Sequence, residues 1–184
     1  MPMRTTIFGT LAILAIIIAT CGQASPVDNS APPAPVPGNP VAGLRLSLAR
    51  PSVGSLEVIF ENVDKKVMVL NLGDLVGNGR YLEPLKLHVV VTSASGKSRR
   101  LNWKGLAYGG RVDDFLVPLM PASKYTIRFL TDDLIGDGTD GNWSNKIAPG
   151  EKVQAVYEGQ ATDPRRNTIP ARPIWLGEVE SASL

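Results

Sequence analysis

The stretch "PLKLHVVVTS", residues 84–93, sets the fold class. Leu85, Leu87, Val89 and Val91 alternate with Lys86, His88 and Thr92, and a period of two is what a strand with one buried face requires. The pattern recurs outward from there. "SLEVIFEN" (55–62) sets Leu56, Val58 and Phe60 against Glu57 and Glu61, and "KYTIRFLT" (124–131) turns Tyr125, Ile127 and Phe129 to one side. "LRLSL" (44–48), "KVMVLNLG" (66–73), "RRLNW" (99–103), "DFLVPLM" (114–120), "EKVQAVYE" (151–158) and "IWLGEVE" (174–180) complete the strand-like runs. Beyond the N-terminal segment no window holds apolar residues at helical spacing for three turns, and the 18 glycines and 15 prolines suit turns. Residues 44–184 are therefore expected to form an all-β domain, a β-sandwich of about eight or nine strands, with a small barrel as the alternative. Pro118 predicts that its strand is an edge or carries a bulge.

The first segment is of another kind. "MPMRTTIFGTLAILAIIIATC" has Arg4 as its one charge, an uncharged run from Ile7 to Ala19, and then Cys21. A short basic start, an apolar middle and small residues after it describe a secretory signal over residues 1–20. An uncleaved anchor is the alternative, although a spanning helix needs about 20 apolar residues. "IATC" resembles the bacterial lipobox, which implies lipidation at Cys21 and a membrane-anchored lipoprotein; Thr20 departs from the small residue usual there. Cleavage after Ala24 is the competing reading and leads to a soluble periplasmic or secreted protein. Cys21 is the only cysteine, so no intramolecular disulfide can form. Residues 21–43 hold six prolines between positions 26 and 40, a composition that favours extended conformations and reads as a tether or disordered tail.

Charge and residue inventory exclude several chemistries. Loss of Arg4 leaves 18 basic against 17 acidic residues, with no basic stripe of the sort nucleic acid selects. His88 is the only histidine. It reads as an exposed or partly exposed strand residue opposite the apolar face, which disfavours a Ser-His-acid triad. Zinc sites built from His and Cys lack ligands. Asp113–Asp114 and Asp132–Asp133 are adjacent pairs, and neighbours on a strand point to opposite faces; they are not the facing carboxylates of a glycosidase. The expectation is a chain that is not an enzyme.

"DDLIGDGTDGNWSNK" (132–146) concentrates four aspartates, three glycines and Trp143. An EF-hand loop wants oxygen ligands at its first, third and fifth positions, glycine at the sixth and glutamate at the twelfth. Started at Asp137 those later positions are Thr139, Gly141, Asn142 and Ala148, and started at Asp133 the third is Ile135. Neither register fits. A calcium site of another design, using Asp137, Asp140 and backbone carbonyls, stays open beside the reading of a solvated connection. Trp143 is either an exposed stacking surface or a cap folded onto the sandwich end, whereas Trp103 and Trp175 read as core or sheet-face residues.

"LMPASKY" (119–125) resembles the corner of fibronectin type III and related immunoglobulin-like sandwiches. That resemblance implies a Tyr125 hydroxyl bonded back to the backbone. "IAPGEKV" (147–153) repeats the shape with Val153 in place of the tyrosine. With "IFEN", "LNLG", "GGRVDDFLVPL" and "IWLGEVES", residues 55–181 also look like a group of exported bacterial sandwich domains, which implies fold and export but no function. A looser similarity to bacterial proteinase-inhibitor sandwiches rests on "FEN".

Taken together, these features lead to a non-catalytic exported module, an interaction or structural domain of the cell envelope. Its partner would be the membrane through Cys21, and a protein or glycan that the sequence does not identify. The first alternative is a carbohydrate-binding module using the loop aromatics Trp143 and Tyr108; the second is a secreted proteinase inhibitor. No cofactor is expected unless calcium binds at Asp137 and Asp140.

Overall fold

Every one of the alternating segments forms a strand in the computed structural model, which describes residues 33–105, 110–138, 143–164 and 173–184. In chain order the strands are β1 (Val36–Pro37), β2 (Leu44–Ser52), β3 (Ser55–Asn62), β4 (Met68–Val76), β5 (Tyr81–Glu83), β6 (Leu87–Thr92), β7 (Ser98–Trp103), β8 (Asp113–Leu119), β9 (Lys124–Leu130), β10 (Leu134–Gly136), β11 (Lys152–Gly159) and β12 (Gly177–Glu180). A single turn of 3-10 helix at Thr131–Asp133 separates β9 from β10. The strands make three sheets ordered β1-β2-β3-β9, β10-β7-β6-β11-β12 and β5-β4-β8. Among the described residues none closes on itself. The fold is an all-β sandwich rather than a barrel.

Alternation does what the sequence implies. Leu44, Leu46 and Leu48 of β2, Leu56, Val58 and Phe60 of β3, and Leu87, Val89 and Val91 of β6 enter one shared core. Glu57 and Glu61 stay on the outer face, where they pair with Arg128, and with Arg45 and Lys124. Such exposed pairs add little stability. The apolar face does the holding, at about 1.5–3 kcal/mol per fully buried large aliphatic or aromatic side chain.

Tyr157 joins two of the sheets. Its ring meets Phe60 edge-on at 5.3 Å and stacks on Trp175 at 5.6 Å. Its hydroxyl donates to the Asn71 carbonyl at 2.9 Å, so β11 of one sheet is tied to β4 of another. Burial pushes the phenol's pKa upward, which keeps it a donor.

Four expectations change. The folded part starts before residue 44, because Val36 and Pro37 pair with Leu48 and Ser47 as an edge strand. Gly38 donates to the Leu46 carbonyl at 2.8 Å, and antiparallel bonding alternates, so the nitrogen of Pro37 faces away and needs no partner. Leu85 is not on the core face; Leu87 donates to the Pro84 carbonyl in a turn that ends before β6 begins, leaving Leu85 exposed. His88 does sit opposite the core face, yet it is only 5% exposed, contrary to the expected exposed histidine. Finally, Tyr125 lies against Phe115, and its hydroxyl has no hydrogen bond among the described residues; the cross-structure tyrosine bond belongs to Tyr157. Pro118 behaves as expected, since β8 is the edge of its sheet and its pairing with β4 shifts register between Asn71 and Asp74.

Candidate functional site

The aspartate- and glycine-rich stretch is half regular structure. Asp132 and Asp133 form the 3-10 turn that carries the chain from β9 into β10. Asp133 accepts the Leu130 amide at 2.9 Å, while Asn145 donates to the Thr131 carbonyl at 3.1 Å and to Asp132 at 3.2 Å. Asp133 thus caps the turn, and Asp132 is held by a side-chain amide. Leu134–Gly136 then pairs with β7, and the Asp137 amide extends the ladder to the Arg100 carbonyl at 3.1 Å.

Further along the chain, the Trp143 carbonyl accepts the Gly136 amide at 3.3 Å. Gly138 has φ +71°, and a Cβ there would lie 2.4 Å from Cζ2 of Trp143. The indole therefore rests on the glycine backbone, which leaves no room for any side chain at 138. Trp143 is 62% exposed; it does not cap the core.

The predicted site residues are thus only partly placed. Trp143 is exposed, and Asp137 is half-buried at the end of β10. Tyr108, Asp140 and Cys21 lie outside the described residues. Among the described residues no three or more His, Cys, Asp or Glu side chains are grouped so as to hold a metal ion.

The sole histidine is buried, and its Nδ1 has no hydrogen-bond partner among the described residues. Its Nδ1 is 3.6 Å from Glu158 Oε1, too long for a hydrogen bond. Arg100 holds the same carboxylate at 2.9 Å and Asn102 at 2.8 Å. Burial, then the Arg100 charge, lowers the His88 pKa to about 4 against the opposing pull of Glu158. The imidazole is neutral at physiological pH.

Two clefts escape sequence reading, because each collects residues far apart in the chain. One, of about 290 Å³, is lined by Leu82, Glu83, Trp103, Lys104, Asp132 and Asp133. Trp103 packs on Phe129 at 4.8 Å, and its indole nitrogen is buried with no hydrogen-bond partner among the described residues. The other, of about 220 Å³, surrounds Asn71, Asp74, Lys86 and Asp114. Asn71 donates there to the Ala161 carbonyl at 3.2 Å and to Asp114 at 3.5 Å, and accepts from the Gly73 amide at 3.2 Å. That network satisfies a buried amide at the register shift and explains its own polarity. No signal in the sequence beyond an isolated strand tryptophan points to the first cleft.

No protein family matches this chain, and neither does any curated protein or solved structure.

Proposed function

We propose that the chain is a non-catalytic exported module, an interaction or structural domain held at the cell envelope through Cys21. The observation behind this reading is the order of segments. An apolar run ends in "IATC", a proline-rich stretch follows, and that stretch passes into β1 at the sheet edge. The buried, neutral state of His88 supports a non-catalytic role, since general base work needs an imidazole within reach of a substrate. An immunoglobulin-like relationship belongs to the same proposal. It is supported by sheets that place early strands beside late ones, β3 beside β9 and β6 beside β11, as Greek-key connections do. Fatty-acid labelling of wild type and Cys21→Ala tests the anchor. Label on wild type alone is the expected result, and a mature N-terminus at Ser25 without label would overturn it.

The exposure of Trp143 supports the carbohydrate-binding alternative. A ring braced from behind by Gly138 presents a flat face at little entropic cost. A glycan array comparing wild type with Trp143→Ala tests it; binding that disappears in the variant is expected on this reading, and no wild-type binding counts against it.

A further inference from the structure

We infer that the end of the first sheet bearing Val53 and Leu130 docks onto a lipid surface, and that the N-terminal segment delivers it there. This rests on the proposed lipid anchor. Val53 forms the tip of the β2–β3 hairpin and is 96% exposed; Leu130, at the end of β9, is 56% exposed. The two belong to one end, because Leu130 pairs with Ser55 and Thr131 donates to the Gly54 carbonyl at 2.8 Å. The turn itself needs only Gly54, at φ +76°; a β-branched apolar residue beside it is no turn requirement. Arg50, three residues from the tip, has no hydrogen bond or ion pair among the described residues and can meet a lipid phosphate.

Chain direction selects the occupant. β1 runs antiparallel to β2, with Val36 opposite Leu48. Traced back from Val36, the chain moves alongside the last residues of β2, towards the hairpin tip. Eleven residues separate Cys21 from Pro33, a reach of about 34 Å in the extended form that prolines favour. β2 has nine residues, about 30 Å of strand. The opposite end of the sheet also exposes apolar side chains, Val63 and Met120. For that end to face the bilayer the tether would have to run nearly taut along the flank. The Val53 end needs no such extension, and a short tether raises its effective concentration at the surface.

The test uses the full chain, processed in cells and added to phosphatidylcholine vesicles with a quencher in the acyl region. Either route of N-terminal processing removes Cys21 as a free thiol, so a polarity-sensitive dye labels Val53→Cys or Val63→Cys alone. Quenching of about twofold or more is expected at position 53, with little at 63. A dye on Leu130→Cys should show the same quenching and lose it when Val53→Asp is added. Equal responses at 53 and 63, or a stronger one at 63, overturn the proposal. Fatty-acid labelling separates the two ideas: label on Cys21 without quenching at 53 leaves the anchor standing and sinks the docking. Quenching at 53 without label keeps the docking surface and sinks the anchor. A dye at 53 that shifts in emission only when another protein is added also counts against a lipid occupant.

Discussion

The corners "LMPASKY" and "IAPGEKV" look alike in sequence and are held by different physics. Both are turns with proline second and a left-handed residue third. Ser123 donates to the Met120 carbonyl at 3.0 Å with Ala122 at φ +60°, and Glu151 donates to the Ala148 carbonyl at 3.2 Å with Gly150 at φ +82°. This is the type II pattern. The first corner is clamped by a buried neutral amide. Asn62 donates through its side chain to the Leu119 and Lys66 carbonyls at 2.9 and 2.8 Å, and its backbone bonds Ala122 and Ser123. The second is clamped by charge, with Arg99 bidentate on Glu151 at 2.6 and 2.9 Å and the Ala148 amide on the same carboxylate at 2.8 Å. A neutral clamp is indifferent to salt and pH; an ionic one is not.

The sharpest way to break the comparison is Asn62→Ala, which removes the buried bond to the Leu119 carbonyl, the part-buried bond to the Lys66 carbonyl and the acceptor of the Asp64 amide. A loss of about 2–4 kcal/mol is expected from urea unfolding at any salt concentration. Glu151→Gln should cost less, about 1 kcal/mol, with a deficit that shrinks as salt is raised.

The tyrosines come next. Tyr157→Phe should cost about 1–2 kcal/mol by leaving the Asn71 carbonyl unbonded, whereas Tyr125→Phe should cost under about 0.5 kcal/mol. Equal costs would mean that Tyr125 carries the corner bond after all.

Backbone strain distinguishes the turns more finely. Gly150 has open space around a Cβ, so Gly150→Ala isolates the left-handed penalty, about 1 kcal/mol. Ala122→Gly relieves the same strain and should gain a few tenths of a kcal/mol, after the entropy cost of glycine in the unfolded chain. Paired melting curves of the two variants read both.

Acid titration is read as a slope against pH and uses His88 as its probe. Its pKa is held at about 4 against 6.5, so the unfolded chain binds a proton that the native state refuses. Stability is full above pH 6.5 and falls towards pH 4, with a slope of at most about 1.4 kcal/mol per pH unit. His88→Gln should flatten that window. Glu151 acts lower: Arg99 depresses its pKa below 4.5, so its contribution is lost only as pH drops through the depressed value. A slope between 6.5 and 4 that survives in His88→Gln would assign the effect elsewhere.

Strand identity was legible because period-two alternation is a local property, and each of Leu44–Leu48, Leu56–Phe60 and Leu87–Val91 buries the side it should. The turns were legible as breaks between strands, since proline and glycine fall there; that Ala122 takes a positive φ was not. The site was less so. Asp132 and Asp133 read only as an adjacent carboxylate pair; in the fold Asp133 caps the turn at the Leu130 amide and Asp132 accepts from Asn145, because a carboxylate beside free donors finds them at once. Trp143 could be singled out by composition, while its support on Gly138 is a contact that only the folded chain makes.

Sequence by itself determined the all-β class, the edge position of Pro118 and the faces of the strands, because those follow from chirality, the missing proline N–H and alternation. Tertiary structure alone decided which tyrosine bridges sheets, how deeply His88 is buried, and that Trp103 meets Glu83 and Asp133 across a cleft. Those outcomes depend on which segments pack together over long separations, and the free energy that selects them is a sum over contacts no local window contains.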